Sequence, residues 1–326
     1  MKSKATVLSL VSIVAAFLLT LVATVPARAV APIFNNQTLT IAENSPNGAT
    51  TTPSKLAVFD PEGQPLTYDV LSGSGAAAFS VNASTGVVTV SDSSLLDFEV
   101  NPTFSMVVRV TDTEPQSDTA TVTINLTDVS DQPPVMGDQS FSVAENSAAG
   151  TTVGTLQYSD GDTNDSHVFS VTGGSGSGLF NIDSVGKITV ANGAQLNFEA
   201  VNTYNMTVEI EDEGGLTDTA LITVDITNVN ENPVVNPQSF TISENAANGT
   251  NVGTVAGSDP EGAALIFSIV GASPFAINGN TGLITVANSS QLDFETTPSI
   301  NFTVSALDPG GKTGSGTMTV NLTNVN

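Results

Sequence analysis

Thr119-Ala120-Thr121-Val122-Thr123-Ile124-Asn125-Leu126 runs into Thr127-Asp128-Val129-Ser130-Asp131-Gln132-Pro133-Pro134. The first eight residues alternate polar and apolar, the period of a strand with one face in a core and one in water. A helix would repeat its apolar residues every three or four positions instead. The next eight residues hold acids, amide and prolines, so the strand ends in irregular, oxygen-rich backbone. Moving outward, Thr223-Val224-Asp225-Ile226 and Thr317-Met318-Thr319-Val320-Asn321-Leu322 show the same alternation. Gly86–Val90, Gly186–Val190 and Gly282–Val286 read as further strands, each after a tight turn.

Four landmarks keep one order throughout. Asn125-Leu126-Thr127-Asp128-Val129 returns as Asp225-Ile226-Thr227-Asn228-Val229 and Asn321-Leu322-Thr323-Asn324-Val325. Ala42-Glu43-Asn44, Asp60-Pro61-Glu62-Gly63 and Leu96-Asp97-Phe98-Glu99 each recur twice more, about every 100 residues. That period is a small domain rather than a solenoid unit. The pattern therefore argues for an all-β fold: three tandem units, each a sandwich of two antiparallel sheets. The only helical hint is a short turn at each Leu-Asp-Phe-Glu block, where Phe98, Phe198 and Phe294 are expected to plug the core.

The N-terminus reads as a Sec-type signal peptide, residues 1–29. Lys2 and Lys4 precede an apolar run, and Ala27-Arg28-Ala29 is a small-x-small cleavage signal placing the cut after Ala29. The repeats are then 30–131, 132–231 and 232–326. No later apolar run is long enough to span a membrane. These features predict a secreted or cell-surface, membrane-associated protein.

Acids outnumber bases, 32 Asp+Glu to 7 Lys+Arg, which repels nucleic acid and suits divalent cations. There is no Cys, hence no disulfide, thiolate zinc site or thiol catalysis. The single histidine, His167, lies in a polar stretch and is expected to be a solvated loop residue. With one His, no thiol and no phosphate-binding loop ahead of a helix, nothing predicts an enzyme.

Within each repeat the acids hold fixed places. Glu43 ends an early strand, Asp97 and Glu99 sit in an irregular segment, Asp112 closes a strand, and Asp128 and Asp131 lie where one unit hands over to the next. Gathered carboxylates repel one another and call for a cation. Calcium takes carboxylate, amide and backbone oxygens with loose geometry, whereas magnesium is stricter.

In this combination the units resemble cadherin repeats, in the variant common in bacterial surface proteins. The resemblance covers roughly residues 31–326; it implies that each unit is a seven-stranded Greek-key, immunoglobulin-like sandwich, three of them in a linear array, with up to about three calcium ions at each junction. At the first junction it implies ligands Glu43, Asp97 and Glu99 from the leading repeat. From the linker it implies Asp131 by its side chain and Val129 and Gln132 by their carbonyls. Ser130 stands where the family has Asn, and Asp160, Asp162 and Asp212 match the trailing repeat. The second junction departs more. Glu145 and Glu199 match, but Asn197 replaces an Asp. The linker offers Val229, Asn230, Glu231 and Asn232; Asp259 and Asp308 match, while Glu261 replaces the second Asp of Asp-x-Asp. Fewer or weaker ions are expected there. Repeat one keeps Asp60, Glu62 and Asp112 without a preceding linker. Repeat three keeps Glu244, Asp293 and Glu295 but stops inside the boundary motif, as a fragment of a longer array or a vestigial half-site.

The resulting expectation is a calcium-stiffened adhesion or stalk protein whose partners are calcium ions and other surface proteins or glycans, homophilic pairing included. The alternative is a carbohydrate- or matrix-binding module of the same fold without ordered metal. No Trp and only Tyr68, Tyr158 and Tyr204 offer aromatic platforms for sugar.

Overall fold

The structure, a computed structural model, describes residues 29–163 and 165–325. The predicted signal peptide lies outside the described residues except for Ala29. Repeat one has seven strands: β1 (Gln37–Ala42), β2 (Thr50–Lys55), β3 (Thr67–Ser72), β4 (Phe79–Val81), β5 (Val87–Val90), β6 (Thr103–Thr111) and β7 (Ser117–Thr127). Repeat two follows with β8 (Gln139–Ala144), β9 (Thr152–Thr155), β10 (Val168–Gly173), β11 (Phe180–Ile182), β12 (Lys187–Val190), β13 (Thr203–Glu211) and β14 (Thr217–Thr227). Repeat three comprises β15 (Gln238–Ser243), β16 (Asn251–Thr254), β17 (Ile266–Val270), β18 (Phe275–Ile277), β19 (Leu283–Val286), β20 (Ser299–Leu307) and β21 (Thr313–Thr323).

Each repeat stacks a four-stranded on a three-stranded sheet. In repeat two the orders are β10-β13-β14-β8 and β11-β12-β9, and repeat three repeats them. Repeat one joins its two sheets through the pair Thr40↔Thr52 of β1 and β2. The first strand always runs parallel to the last: β1 with β7, β8 with β14, β15 with β21. This pairing carries the residue after the first strand to the start of the linker.

Period-two alternation sends the same positions inward in all three units. Val108, Val208 and Val304 are fully buried, as are Val122, Ile222 and Met318. Each such side chain contributes about 1.5–3 kcal/mol. A one-turn 3-10 helix precedes each Leu-x-Phe-Glu block, at Ser93–Leu95, Gly193–Gln195 and Ser289–Gln291. The plug there is the leucine. Leu96, Leu196 and Leu292 are buried, while Phe98, Phe198 and Phe294 are half-buried against the same cores. Two residues along an irregular segment do not keep strand facing, so the larger side chain did not win the inner site.

The chain forms two compact units. Among the described residues the first holds 29–131 together with 161–163, and the second holds 132–160 and 165–325.

Candidate metal centres

The acids that follow the first strands are buried: Glu43 is 3% exposed and Glu145 2%. Their place is set by the parallel pairing, through Glu43 N–H donating to Thr127 O (3.1 Å) and Glu145 N–H to Thr227 O (3.0 Å). Each carboxylate then ties two segments together. Glu43 Oε2 accepts from Phe98 N (2.6 Å) and Oε1 from Val129 N (2.8 Å). Glu145 does the same with Phe198 N (2.9 Å) and Val229 N (2.7 Å). Glu244 accepts from Phe294 N (2.9 Å) and Val325 N (2.8 Å). In each repeat one carboxylate, buried at Glu43 and Glu145 and half-buried at Glu244, thus holds the Leu-x-Phe-Glu turn and the segment after the last strand at a shared point.

Around these anchors the acids gather. In the first unit, Glu43, Glu99 and Asp128 bring one carboxylate oxygen each within 4.8 Å of one another, and so do Glu99, Asp131 and Asp162. In the second unit Glu145, Glu199 and Glu231 form one such group, Asp160, Asp165 and Asp212 another, and Glu244, Asp293 and Glu295 a third. Asp97 is in none of them. Its Oδ1 accepts from Val100 N (2.8 Å) and caps the turn, the role that Asn197 Oδ1 plays for Ala200 N (2.8 Å). A turn cap needs an oxygen rather than a charge, which explains the Asp–Asn exchange.

The linkers are laced to both sides. Asn44 donates to Asp131, and Asn146 Nδ2 donates to Glu231 Oε1 (2.7 Å). Both asparagines are left-handed, at φ 52° and 57°, a conformation that Asn tolerates. Asp131 N donates to Asp162 Oδ2 (2.9 Å), and Glu231 N to Glu261 Oε1 (2.6 Å), so the longer Glu261 reaches the equivalent amide. Asn230 Nδ2 donates to Asp308 Oδ2 (2.9 Å). Gly310 makes room for it, since a Cβ there would lie 2.3 Å from Asn230 Oδ1. Of the expected backbone ligands, Val129, Gln132, Val229 and Asn232 sit in exposed linker, and Ser130 is half-buried.

Two residues escaped the sequence-based ligand set. Asp128 joins Glu43 and Glu99, and Asp165 joins Asp160 and Asp212. Asp128 was visible at the strand end; Asp165 had no counterpart in the repeated motif. One expectation is corrected. His167 is not a solvated loop residue: its side chain is 7% exposed, its Nε2 is 2.7 Å from Asp160 Oδ2, and its ring packs on Tyr158 at 4.7 Å. The cause is position, two residues before Phe169 in β10, where the chain already turns into the core.

The electrostatics show repulsion held in place. Among the described residues, seven of the eight buried polar ones are motif acids: Glu43, Asp112, Glu145, Asp162, Asp212, Asp259 and Asp308. The Lys/Arg ion pair among the described residues is Arg109–Asp69 (2.6 Å), which touches none of them. Burial, and then the carboxylates of Glu43, Asp128 and Asp162, raise the Glu99 carboxyl to about 7 despite an opposing backbone hydrogen bond. Glu199 has a lowering backbone hydrogen bond, but burial and Glu145, Glu231 and Glu261 outweigh it and raise its pKa. Glu244 is lowered instead, by the amides of Val325 and Phe294. For Asp308, burial raises the pKa, but the amide of Lys312 and the side chain of Asn230 outweigh it and hold the carboxyl low.

Several buried oxygens have no hydrogen-bond partner: Asp60 Oδ2, Asp112 Oδ2, Asp128 Oδ1, Asp212 Oδ2, Asp259 Oδ2 and Glu261 Oε2. Orphaned, negatively charged oxygen in a low-dielectric setting is costly. The donors are all hard oxygens, which fits calcium and argues against a soft-metal site.

Residues 37–127, 139–227 and 238–323 each match the cadherin domain family. The chain is 31% identical to cadherin-related family member 2 of Mus musculus, over 90% of this chain and 25% of that protein. It is 33% identical to cadherin-4 of Caenorhabditis elegans, over 78% of this chain and 6% of that protein. The chain therefore spans a quarter or less of these curated relatives. Among solved structures, the human desmocollin-1 ectodomain superposes with a TM-score of 0.60 at 24% identity, covering 90% of this chain and 62% of that one. Human CDH23 EC21-23 superposes with a TM-score of 0.53 at 23% identity, covering 89% of this chain and 100% of that one. These likenesses are to animal cadherins and protocadherins, which corrects the expectation of a bacterial cadherin-like surface protein.

Proposed function

The chain belongs to the cadherin family, and from that premise we propose that it is a calcium-binding adhesion or stalk module whose ions sit at the linkers and stiffen the array. Cadherin domains are extracellular, non-catalytic modules. The observation that carries the calcium reading is the set of seven buried motif acids with so little basic charge in the chain. In the proposal Glu43, Glu99, Asp128, Asp131 and Asp162 serve the first linker. Glu145, Glu199, Glu231, Glu261, Asp259 and Asp308 serve the second, with the carbonyls of Val129, Gln132, Val229 and Asn232 completing the shells.

The mechanism is mechanical. Without cations the acids repel and the linkers flex; with them, oxygens from consecutive repeats are drawn onto shared charges. We further propose repeat boundaries at 30–131, 132–231 and 232–326, and secretion by a signal peptide cut after Ala29. Among the described residues no helix is long and apolar enough to cross a membrane. Other surface proteins or glycans are the proposed partners, including a second copy of the chain.

Calcium calorimetry on residues 30–326, paired with small-angle scattering with and without chelator, tests this. The expected result is binding of several ions at ~10⁻⁴–10⁻³ M affinity, with a longer maximum dimension in calcium. Absence of calcium binding would overturn the metal reading, and an unchanged dimension with calcium bound would overturn the stiffening.

A further inference from the structure

The three repeats carry an internal comparison at the loop ahead of their third strand. Tyr68, Phe169 and Phe267 face Val110, Ile210 and Ala306 in the same register, so they are equivalent positions. Two residues earlier stand Leu66, His167 and Leu265; four residues earlier stand Gln64, Asp165 and Ala263. Repeat two alone puts a carboxylate and an imidazole where its sisters have neutral side chains. Its loop is also one residue longer, counted from Asp160 rather than from Asp60 or Asp259.

These departures meet at one point. One oxygen each of Asp160, Asp165 and Asp212 lies within 4.8 Å of the others, and no equivalent trio forms at Asp60 or Asp259 among the described residues. Asp212 is 6% exposed; its Oδ1 accepts from Leu216 N (2.8 Å), and its Oδ2 is buried without a partner. Asp160 is braced. A carboxylate only accepts, so His167 Nε2 must be the donor at 2.7 Å, and the ring is fixed against Tyr158. In the sister loops, Asp60 Oδ1 accepts from the Glu62 and Gln64 amides (both 2.9 Å), and Asp259 Oδ1 from the Ala263 amide (3.2 Å).

We infer that Asp165 and His167 make the cation site of Asp160 and Asp212 in repeat two tighter than its counterparts in the sister repeats. Asp165 supplies an extra ligand to Asp160 and Asp212, and His167 is a positioning residue that aims Asp160. The inference rests on the calcium reading above. Its logic is charge count and preorganisation: calcium affinity rises with the number of carboxylates and the rigidity of the shell. An imidazole fixing a ligand carboxylate acts as an outer-shell brace.

The test is calcium calorimetry on residues 30–326, with D165A, D165N and H167L, and Q64A in repeat one as control. H167L installs the residue that both sister repeats carry, and D165N preserves shape if D165A fails to fold. The expected result is one ion in the wild type that fills about tenfold tighter than the others. That ion weakens about tenfold or more in D165N, and about tenfold in H167L, while the remaining ions and Q64A are unchanged. Wild-type-like titration of D165N and H167L would overturn the inference while leaving the calcium reading intact. A wild type that binds no calcium would instead overturn the calcium reading itself. Thermal melts of the metal-stripped variants separate the two roles: a merely structural His167 would shift the melt without moving the tight ion.

Discussion

Glu43 shows how one side chain can be structural and chemical together. Its two oxygens accept the amides of Phe98 and Val129, and both hydrogen bonds are made to a charged group almost wholly out of water. Glu43→Ala leaves those two donors without the carboxylate. It should cost about 3 kcal/mol of stability, at about 1.5–3 kcal/mol per charge-assisted bond, measured by urea unfolding of the metal-stripped chain. Glu99, in the same group, has the opposite balance. Its carboxyl titrates near 7 in the metal-free protein, above its ordinary value of 4.5. A raised carboxyl holds its proton more tightly folded than unfolded, so its stabilisation is full below pH 4.5 and is lost as pH rises through 7. The metal-stripped chain should therefore melt lower at pH 8 than at pH 5, and saturating calcium should flatten that fall. Calorimetric scans across this window check it; a melt rising with pH would contradict the raised carboxyl. The leucine of each Leu-x-Phe-Glu block makes a further point at this scale. Residue type pointed to the phenylalanine as the plug, but the path of an irregular segment chose Leu96.

At the scale of elements, the last strand of each repeat is the platform on which the entering chain lies. In repeat one Asp118 Oδ2, on β7, accepts from Phe34 N (2.9 Å), and in repeat two Asp218 Oδ2, on β14, accepts from Met136 N (2.7 Å). Repeat three has Gly314 at this place on β21, opposite Ala306, and the linker comes down onto the backbone. A Cβ at Gly314 would lie 1.8 Å from Pro233 O. Gly314→Ala should cost about 1–3 kcal/mol, as overpacking does, by thermal melting. Because Pro233 is two residues from Glu231, the same change should weaken calcium at the second linker and leave the first unaffected, read by calorimetry. A second adaptation links β8 to β9. Phe141 lies over Gly154, where a Cβ would meet its ring at 2.2 Å, and Phe240 lies over Gly253 in the same way. Repeat one places the smaller Leu39 at the corresponding position. Alternation alone revealed the strands, yet these paired changes of size belong to contacts between strands that are far apart in sequence.

For the whole molecule, a formal charge of −25 opposes compaction, and clustering the acids in pairs and trios makes that opposition local. A cation that binds only the folded chain adds stability by mass action. At ~10 mM calcium and an affinity of ~10⁻⁴–10⁻³ M, each ion contributes about 1–3 kcal/mol. The melting temperature should rise by roughly 5–15 °C on adding calcium to the metal-stripped protein. Magnesium at the same concentration should achieve much less, because it holds its waters and demands octahedral geometry. Equal shifts from both ions, in parallel scans, would show that screening rather than coordination is responsible.

The sequence by itself determined the strands, their threefold recurrence, the acid-rich landmarks and the cadherin likeness, because side-chain period and motif order are properties of neighbours along the chain. Only the tertiary structure decided which oxygens meet. The parallel docking of β1 on β7 brings Glu43 to Asp128 across the length of a repeat, and backbone hydrogen bonds that join strands carry no residue code. The loop after Asp160 likewise brings Asp165 and His167, which matched no motif, to a cluster of acids. Such convergence depends on the path of the folded backbone, and distance in space is not written in distance along the chain.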